Sequence, residues 1–171
     1  WFKIVLSSTP MGDTSASSSR QWCVAILSAR EDLATLESTL AAVLEAVGDA
    51  PATVDVLVNG NPSTAQALSA RLGTRSMTMV AHAHVRVWNL ALRDKAHAWN
   101  SYVHSIWPGG STTFFVDGCI TVLPAAFAMT QRRLDGSDAL AVATVPTTGR
   151  SAAATRELIL RHPQIHGSLY A

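Results

Sequence analysis

Short apolar runs alternate along the chain with segments of helical periodicity, and this alternation restricts the fold more than any single residue does. "WCVAILS" at 22–28 is a strand by length and composition. In the "EDLATLESTLAAVLEAVG" that follows, Leu33, Leu36, Leu40, Val43, Leu44 and Val47 recur at helical spacing. Asp32 is placed to cap that helix and Gly48 to end it. "TVDVLV" at 53–58 is a second strand. Asn61 then caps a helix with Pro62 at its first position and Gly73 at its end. A third strand is expected at 85–91. The segment "RDKAHAWNSYVHSIW" reads as a helix with Ala96, Trp99, Val103 and Ile106 on one face, stopped by Pro108-Gly109-Gly110. A strand at 112–117 follows, then a helix begun by Pro124 and ended near Gly136, and an apolar run at 139–145. Ser151 opens a last helix, closed by Pro163.

Strands alternating with helices imply βαβ units with right-handed crossovers. Strands that are apolar without alternation imply a sheet covered on both faces. The expected class is therefore α/β, a Rossmann-like, mostly parallel sheet flanked by helices. At 171 residues, 48% of them hydrophobic and 15% charged, the chain suits one globular core. A net charge of +1 with no Lys/Arg run argues against nucleic acid as a partner. No stretch approaches ~18 uninterrupted apolar residues, so no transmembrane segment is expected. Residues 1–20 are Ser-rich and aperiodic after "WFKIVL" and read as a flexible lead-in, with a native start near Met11 and one domain over 21–171. "WFKIVL" is too short for a secretory h-region, which makes the cytoplasm the expected location, with a position peripheral to the membrane left open.

In an open α/β sheet, ligands bind at the carboxyl ends of the strands. Here those ends carry Ser28-Ala29-Arg30-Glu31, Asn59-Gly60-Asn61, Arg93-Asp94-Lys95 and, after "TTFFV", Asp117-Gly118-Cys119. Taken singly, each is an ordinary cap or turn residue. Taken together, they place carboxylates, amides and cations after four strands, which suits a polyanionic ligand carrying a sugar or base. Neither GxGxxG nor GxxxxGK[ST] is present.

Several segments, in order, resemble the family 2 glycosyltransferases, which have the GT-A fold. "CVAILSAREDLATLESTLAAVL" is similar to the family's opening strand, turn and long helix. "VDVLVNGN" is similar to its second strand. "DKAHAWN", with Lys95, Ala98 and Asn100, resembles its Lys-x-x-Ala-x-Asn segment. "FFVDGCITVLPAAF" resembles the strand ending in Asp-x-Asp, and "IHGSLYA" a later strand. The resemblance covers about residues 22–171. It implies an inverting hexosyl transfer from a nucleotide-diphosphate-sugar donor to a saccharide or lipid-linked acceptor. It also implies that Ala29, Arg30 and Glu31 line the base and ribose, that Asn59 reads the base, that Lys95 lies near the diphosphate, and that Asp117 contacts ribose or metal.

Two departures change what is expected. Cys119 stands where the family has its second aspartate, the usual ligand of Mg²⁺ or Mn²⁺. Those hard ions prefer oxygen, so metal binding at Asp117 should be weak. The family's catalytic base normally lies further along than residue 171, so the chain is expected to be truncated at its carboxyl end and none of its residues is assigned that role. Two other readings stay open: a non-catalytic GT-A-like module that binds a nucleotide or a partner, and an unrelated nucleotidyltransferase-like α/β domain. In the GT-A pattern the strands bearing Cys23 and Cys119 are neighbours, with the thiols at opposite ends, roughly 16 Å apart. A disulfide needs Cα atoms within ~7 Å, so two free thiols are expected, Cys23 buried and Cys119 accessible. The pairs His82/His84 and His97/His104 lack a third metal ligand, and His166 follows a strand-like segment. Trp88, Trp99 and Trp107 read as core or interface aromatics.

Overall fold

The computed structural model describes residues 21–74, 82–145, 147, 152–161 and 169–171. Residues 1–20, the lead-in, and His166 lie outside the described residues. Five strands form one sheet: β1 (Trp22–Ser28), β2 (Ala52–Asn59), β3 (Ala83–Leu90), β4 (Thr112–Asp117) and β5 (Leu169–Tyr170), in the order β3-β2-β1-β4-β5. The first four are parallel, and β5 runs antiparallel to β4. The helices are α1 (Leu33–Val47), α2 (Pro62–Thr74), α3 (Lys95–Ser101), α4 (Ala126–Asp135) and α5 (Ala152–Arg161). The fold is the expected Rossmann-like α/β class.

Local chemistry sets the boundaries of α1. Asp32 accepts a hydrogen bond from the Thr35 amide, 2.8 Å, and so satisfies one of the helix's orphan donors. Gly48 closes the helix at φ 58°, a conformation that favours glycine. Its apolar stripe, Leu36, Leu40, Val43, Leu44 and Val47, packs with Val24, Ile26, Val54, Val56, Phe114 and Val116 from the sheet. Ala65, Leu68 and Leu72 of α2 and Phe127 of α4 join the same cluster. Phe127 is anchored there by Phe114, at a ring-centroid distance of 4.7 Å.

α3 covers the opposite face. After β3 the chain must return past β2 and β1 to reach β4. A right-handed crossover in that direction places its helix on the other side of the sheet. Ala98 and Tyr102 pack there on Ala25, Leu27, Leu57 and Phe115, with Trp88, Trp99, Val103 and Ile106 partly buried beside them. The expected helical face differs in detail. Ala96 is exposed and Ala98 is buried, and the helix changes to π-helical geometry over Tyr102–Ile106. Trp107 N donates to Tyr102 O at 2.8 Å across that turn, while Trp99, Val103 and Ile106 of the expected face pack on the sheet.

One other expectation is corrected. Pro124 does not begin α4: Ala125 stands before it in the left-handed region, φ 63°, and the helix starts at Ala126. The apolar run 139–145 is exposed or half-buried along its length. Leu140 is 91% exposed, and the segment runs beside the end of the chain, where Val142 and Ala171 exchange hydrogen bonds of 2.8 and 2.9 Å and the Thr144 amide and hydroxyl each donate to Leu169 O of β5 at 3.1 Å.

Candidate functional site

The sheet order makes the gap between β1 and β4 the place where winding reverses. β2 and β3 extend to one side of β1, and β4 and β5 to the other. In doubly wound sheets this switch point is where a crevice forms at the carboxyl edge. Leu27 pairs in register with Asp117, so both strands finish level.

The β4 end explains the "VDGC" stretch. Gly118 N donates to Leu27 O at 2.9 Å, and the Gly118 carbonyl accepts from the Thr39 hydroxyl of α1 at 3.0 Å. A Cβ on Gly118 would lie 3.0 Å from Ser28 Cβ, so a larger residue would push β4 away from β1. Glycine thus lets the two strand ends close up, and Asp117 and Cys119 flank that closure. Asp117 pairs with Lys95 Nζ from the start of α3. Both groups keep contact with solvent, the side chains being 26% and 53% exposed.

The β1 end is a turn organised by its own acid. Glu31 Oε2 accepts from Ser28 Oγ at 3.0 Å, Ala29 N at 2.8 Å and Arg30 N at 3.0 Å. Burial pushes the Glu31 carboxyl up, but these hydrogen bonds together outweigh it and hold the group below its ordinary value. Ala29 turns its carbonyl to Arg93 Nε, 2.7 Å. Arg30 is exposed. Cys119 is exposed, and burial of its sulfur together with the Glu31 and Asp117 charges raises its thiol, with Lys95 opposing.

Of the residues expected to line a site, Ala29, Arg30, Glu31, Lys95 and Asp117 lie at or beside the carboxyl ends of β1 and β4. Asn59 is placed differently. It shares a sheet face with Asp117, by alternation and register, at roughly 12 Å across two strand spacings. It is also 0% exposed, and neither amide atom has a partner among the described residues. The chain after β3 closes over the end of β2: Gly60 N donates to Leu90 O at 2.8 Å, and a Cβ on Gly60 would lie 2.8 Å from Arg93 Cβ. As placed, Asn59 cannot touch a ligand in solvent.

Cys119 makes this edge a poorer site for a Mg²⁺ or Mn²⁺ ion than a second carboxylate would. Such ions need several oxygen ligands. Asp117 is paired with Lys95, the Glu31 oxygen serves its own turn, and Cys119 offers a soft sulfur. Among the described residues no group of three or more His, Cys, Asp or Glu side chains could hold a metal. His82, His84 and His104 are exposed and stand outside any such group.

Sequence reading passed over one polar cluster. Asp55, in the middle of β2 and 0% exposed, accepts from Arg86 Nε at 2.7 Å, Arg86 Nη2 at 2.8 Å and Trp88 Nε1 at 2.7 Å. Arg86 Nη2 also donates to Ile106 O at 3.2 Å. The available signal was a single charge inside each of two apolar strands, "TVDVLV" and "AHVRVW". Its bonds all run inward to the fold, so it is structural. No helix of the described residues is long and apolar enough to cross a membrane. The chain has no significant match among protein-family models, curated proteins or solved structures.

Proposed function

We propose that the crevice between β1 and β4 binds a nucleotide-diphosphate sugar, as donor for glycosyl transfer to a saccharide or lipid-linked acceptor. The observation that carries this is the Asp117–Lys95 pair at the switch point of the sheet. A carboxylate that accepts hydrogen bonds suits ribose hydroxyls, and an adjacent ammonium suits a diphosphate. The Ala29-Arg30-Glu31 turn forms the neighbouring wall, its shape fixed by the three bonds to Glu31. Glu31 acts here through the turn, since its oxygen is already engaged.

A second reading, a nucleotide-binding module without transfer chemistry, is favoured by Cys119, which puts sulfur where an oxygen ligand would serve a metal. A thermal-shift panel separates the possibilities. A nucleotide-diphosphate sugar at 100 times its dissociation constant should add about 2.7 kcal/mol, a rise of roughly 5–10 °C for a chain this long. Binding with release of the nucleoside diphosphate supports transfer, and binding without turnover supports the module. Preference for a nucleoside triphosphate points to a nucleotidyltransferase-like domain and sinks the donor reading.

A further inference from the structure

We propose that residues 91–94 form a strap that opens and closes over the end of β2, and that the buried Asn59 amide beneath it keeps the closed state only weakly favoured. The proposal does not depend on the donor reading, because it concerns the chain without a ligand.

Asn59 ends β2 and pairs in register with Leu90, the last residue of β3. By alternation it shares a sheet face with Leu57, the face that α3 covers. Its side chain is 0% exposed, and among the described residues neither Oδ1 nor Nδ2 has a hydrogen-bond partner. A primary amide carries two donors and an acceptor, and burying it unpaired forfeits its hydration with no return. The chain leading from β3 to α3 closes this end of the strand. Gly60 N donates to Leu90 O at 2.8 Å, and Arg93 seats so close that a Cβ on Gly60 would lie 2.8 Å from Arg93 Cβ.

The hold on that segment is slight. Residues 91–96 are all exposed, Leu92 by 54%. The apolar anchors stand on either side of it: Leu90 and Ala98 both belong to the cluster around Leu57. Between them, Arg93 Nε donates to Ala29 O at 2.7 Å and Lys95 Nζ pairs with Asp117. Both bonds are made by exposed side chains, and water competes for them. Asp94 accepts from the Ala96 amide at 2.8 Å and so starts α3. Weak polar bonds therefore close the strap while a buried amide opposes it. A segment with few buried contacts opens without unfolding the rest. Opening rehydrates Asn59, and through the Arg93 bond it also frees the Ala29 carbonyl of the β1 turn. The strap thus couples the carboxyl ends of β1 and β2 and sets when that edge is free to take a ligand.

Amide hydrogen exchange of the full chain, read residue by residue, tests this. The Gly60 amide reports the strap through its bond to Leu90 O. Its protection should be at least about a hundredfold lower than that of Val54 and Val56 in the middle of β2, and insensitive to low denaturant. Asn59→Leu and the smaller Asn59→Val both remove the amide. The better fitting of the two should raise Gly60 protection about tenfold or more and raise the melting temperature. Arg93→Met should lower Gly60 protection about threefold or more with the melting temperature held within about a degree, since the lost bond is on the surface. Unchanged Gly60 protection in Arg93→Met leaves only fraying of the strand end and overturns the strap. Gly60 protection equal to that of Val54 does the same. So does a melting temperature that neither Asn59 variant raises, because the amide would then be satisfied in the closed state.

Discussion

Among the described residues, two strand carboxylates, Asp55 and Asp117, pair with a cation, and the pairs differ in what surrounds them. Asp55–Arg86 lies in the middle of the sheet. Its carboxylate is fully buried and takes three donors, and the guanidinium sits 5.3 Å from the Trp88 ring centroid and bonds the Ile106 carbonyl. Asp117–Lys95 lies at the carboxyl edge. Only one carboxylate oxygen is engaged by the ammonium, and both side chains face water. The first pair is saturated by the fold and tied to the π-helical turn, so breaking it should damage the structure. The second is held weakly, so its groups can exchange partners with a ligand. Position in the strand decides this: mid-strand charges must be satisfied internally, and strand-end charges can be satisfied from solvent.

The largest expected effect falls on the buried pair. Asp55→Ala should cost about 3–5 kcal/mol, because Arg86 and Trp88 Nε1 lose their acceptor. A melt of the variant should fall by about 10 °C. A drop of only a degree or two would remove the contrast between the pairs.

Glu31 is an intermediate case, a half-buried acid that organises the site's wall. Glu31→Gln should cost about 1–2 kcal/mol, since an amide oxygen cannot match a carboxylate that accepts three donors. The folded state holds this carboxyl below its ordinary value of 4.5. Its contribution is therefore full above that value and is lost as pH falls through the lower folded value. Urea melts of wild type and variant should differ by a constant amount from about pH 6 upward and converge in acid. A gap that persists at the lowest pH would show that the turn does not depend on ionised Glu31.

The edge pair should give the opposite result to Asp55. Lys95→Met should change stability by less than about 1 kcal/mol, the usual value of an exposed ion pair. Destabilisation comparable to Asp55→Ala would show that Lys95–Asp117 is as structural as the buried pair.

The smallest effect concerns the thiols. Cys119 is exposed and Cys23 is buried, with burial the main reason the Cys23 thiol is raised. Alkylation of the native protein, followed by mass, should modify Cys119 well before Cys23. The Cys119 thiol is itself raised, so its rate should still be climbing above pH 8. Faster modification of Cys23 would place the amino end of β1 at the surface.

Much of the fold was legible because its signals are local. Asp32, Gly48, Asn61 and Pro62 bound α1 and α2 by their own side chains or backbone preferences, and β1 and β4 fall where their apolar runs do. What was not legible depends on contacts far apart in sequence. The π-helical turn ends where Arg86, twenty residues earlier, meets Ile106 O. The pairing of Asp55 with Arg86 follows from the β2–β3 register, which neither strand displays alone. Asn59 ends its strand as expected, yet its burial is caused by the 90–93 segment crossing above it. For the site, the strand-end positions of Glu31, Lys95 and Asp117 were readable. That Glu31 would bind its own turn and Lys95 would bind Asp117 was not.

The most direct test of the donor site is a map of amide chemical-shift changes as a nucleotide-diphosphate sugar is titrated into isotope-labelled protein. The donor-site reading predicts saturable shifts at Ser28–Glu31, Arg93–Lys95 and Asp117–Cys119. It also predicts little change around Asp55 and Arg86, and loss of the response in Asp117→Ala with the fold intact. Shifts that cluster elsewhere, or an unchanged response in Asp117→Ala, would contradict it.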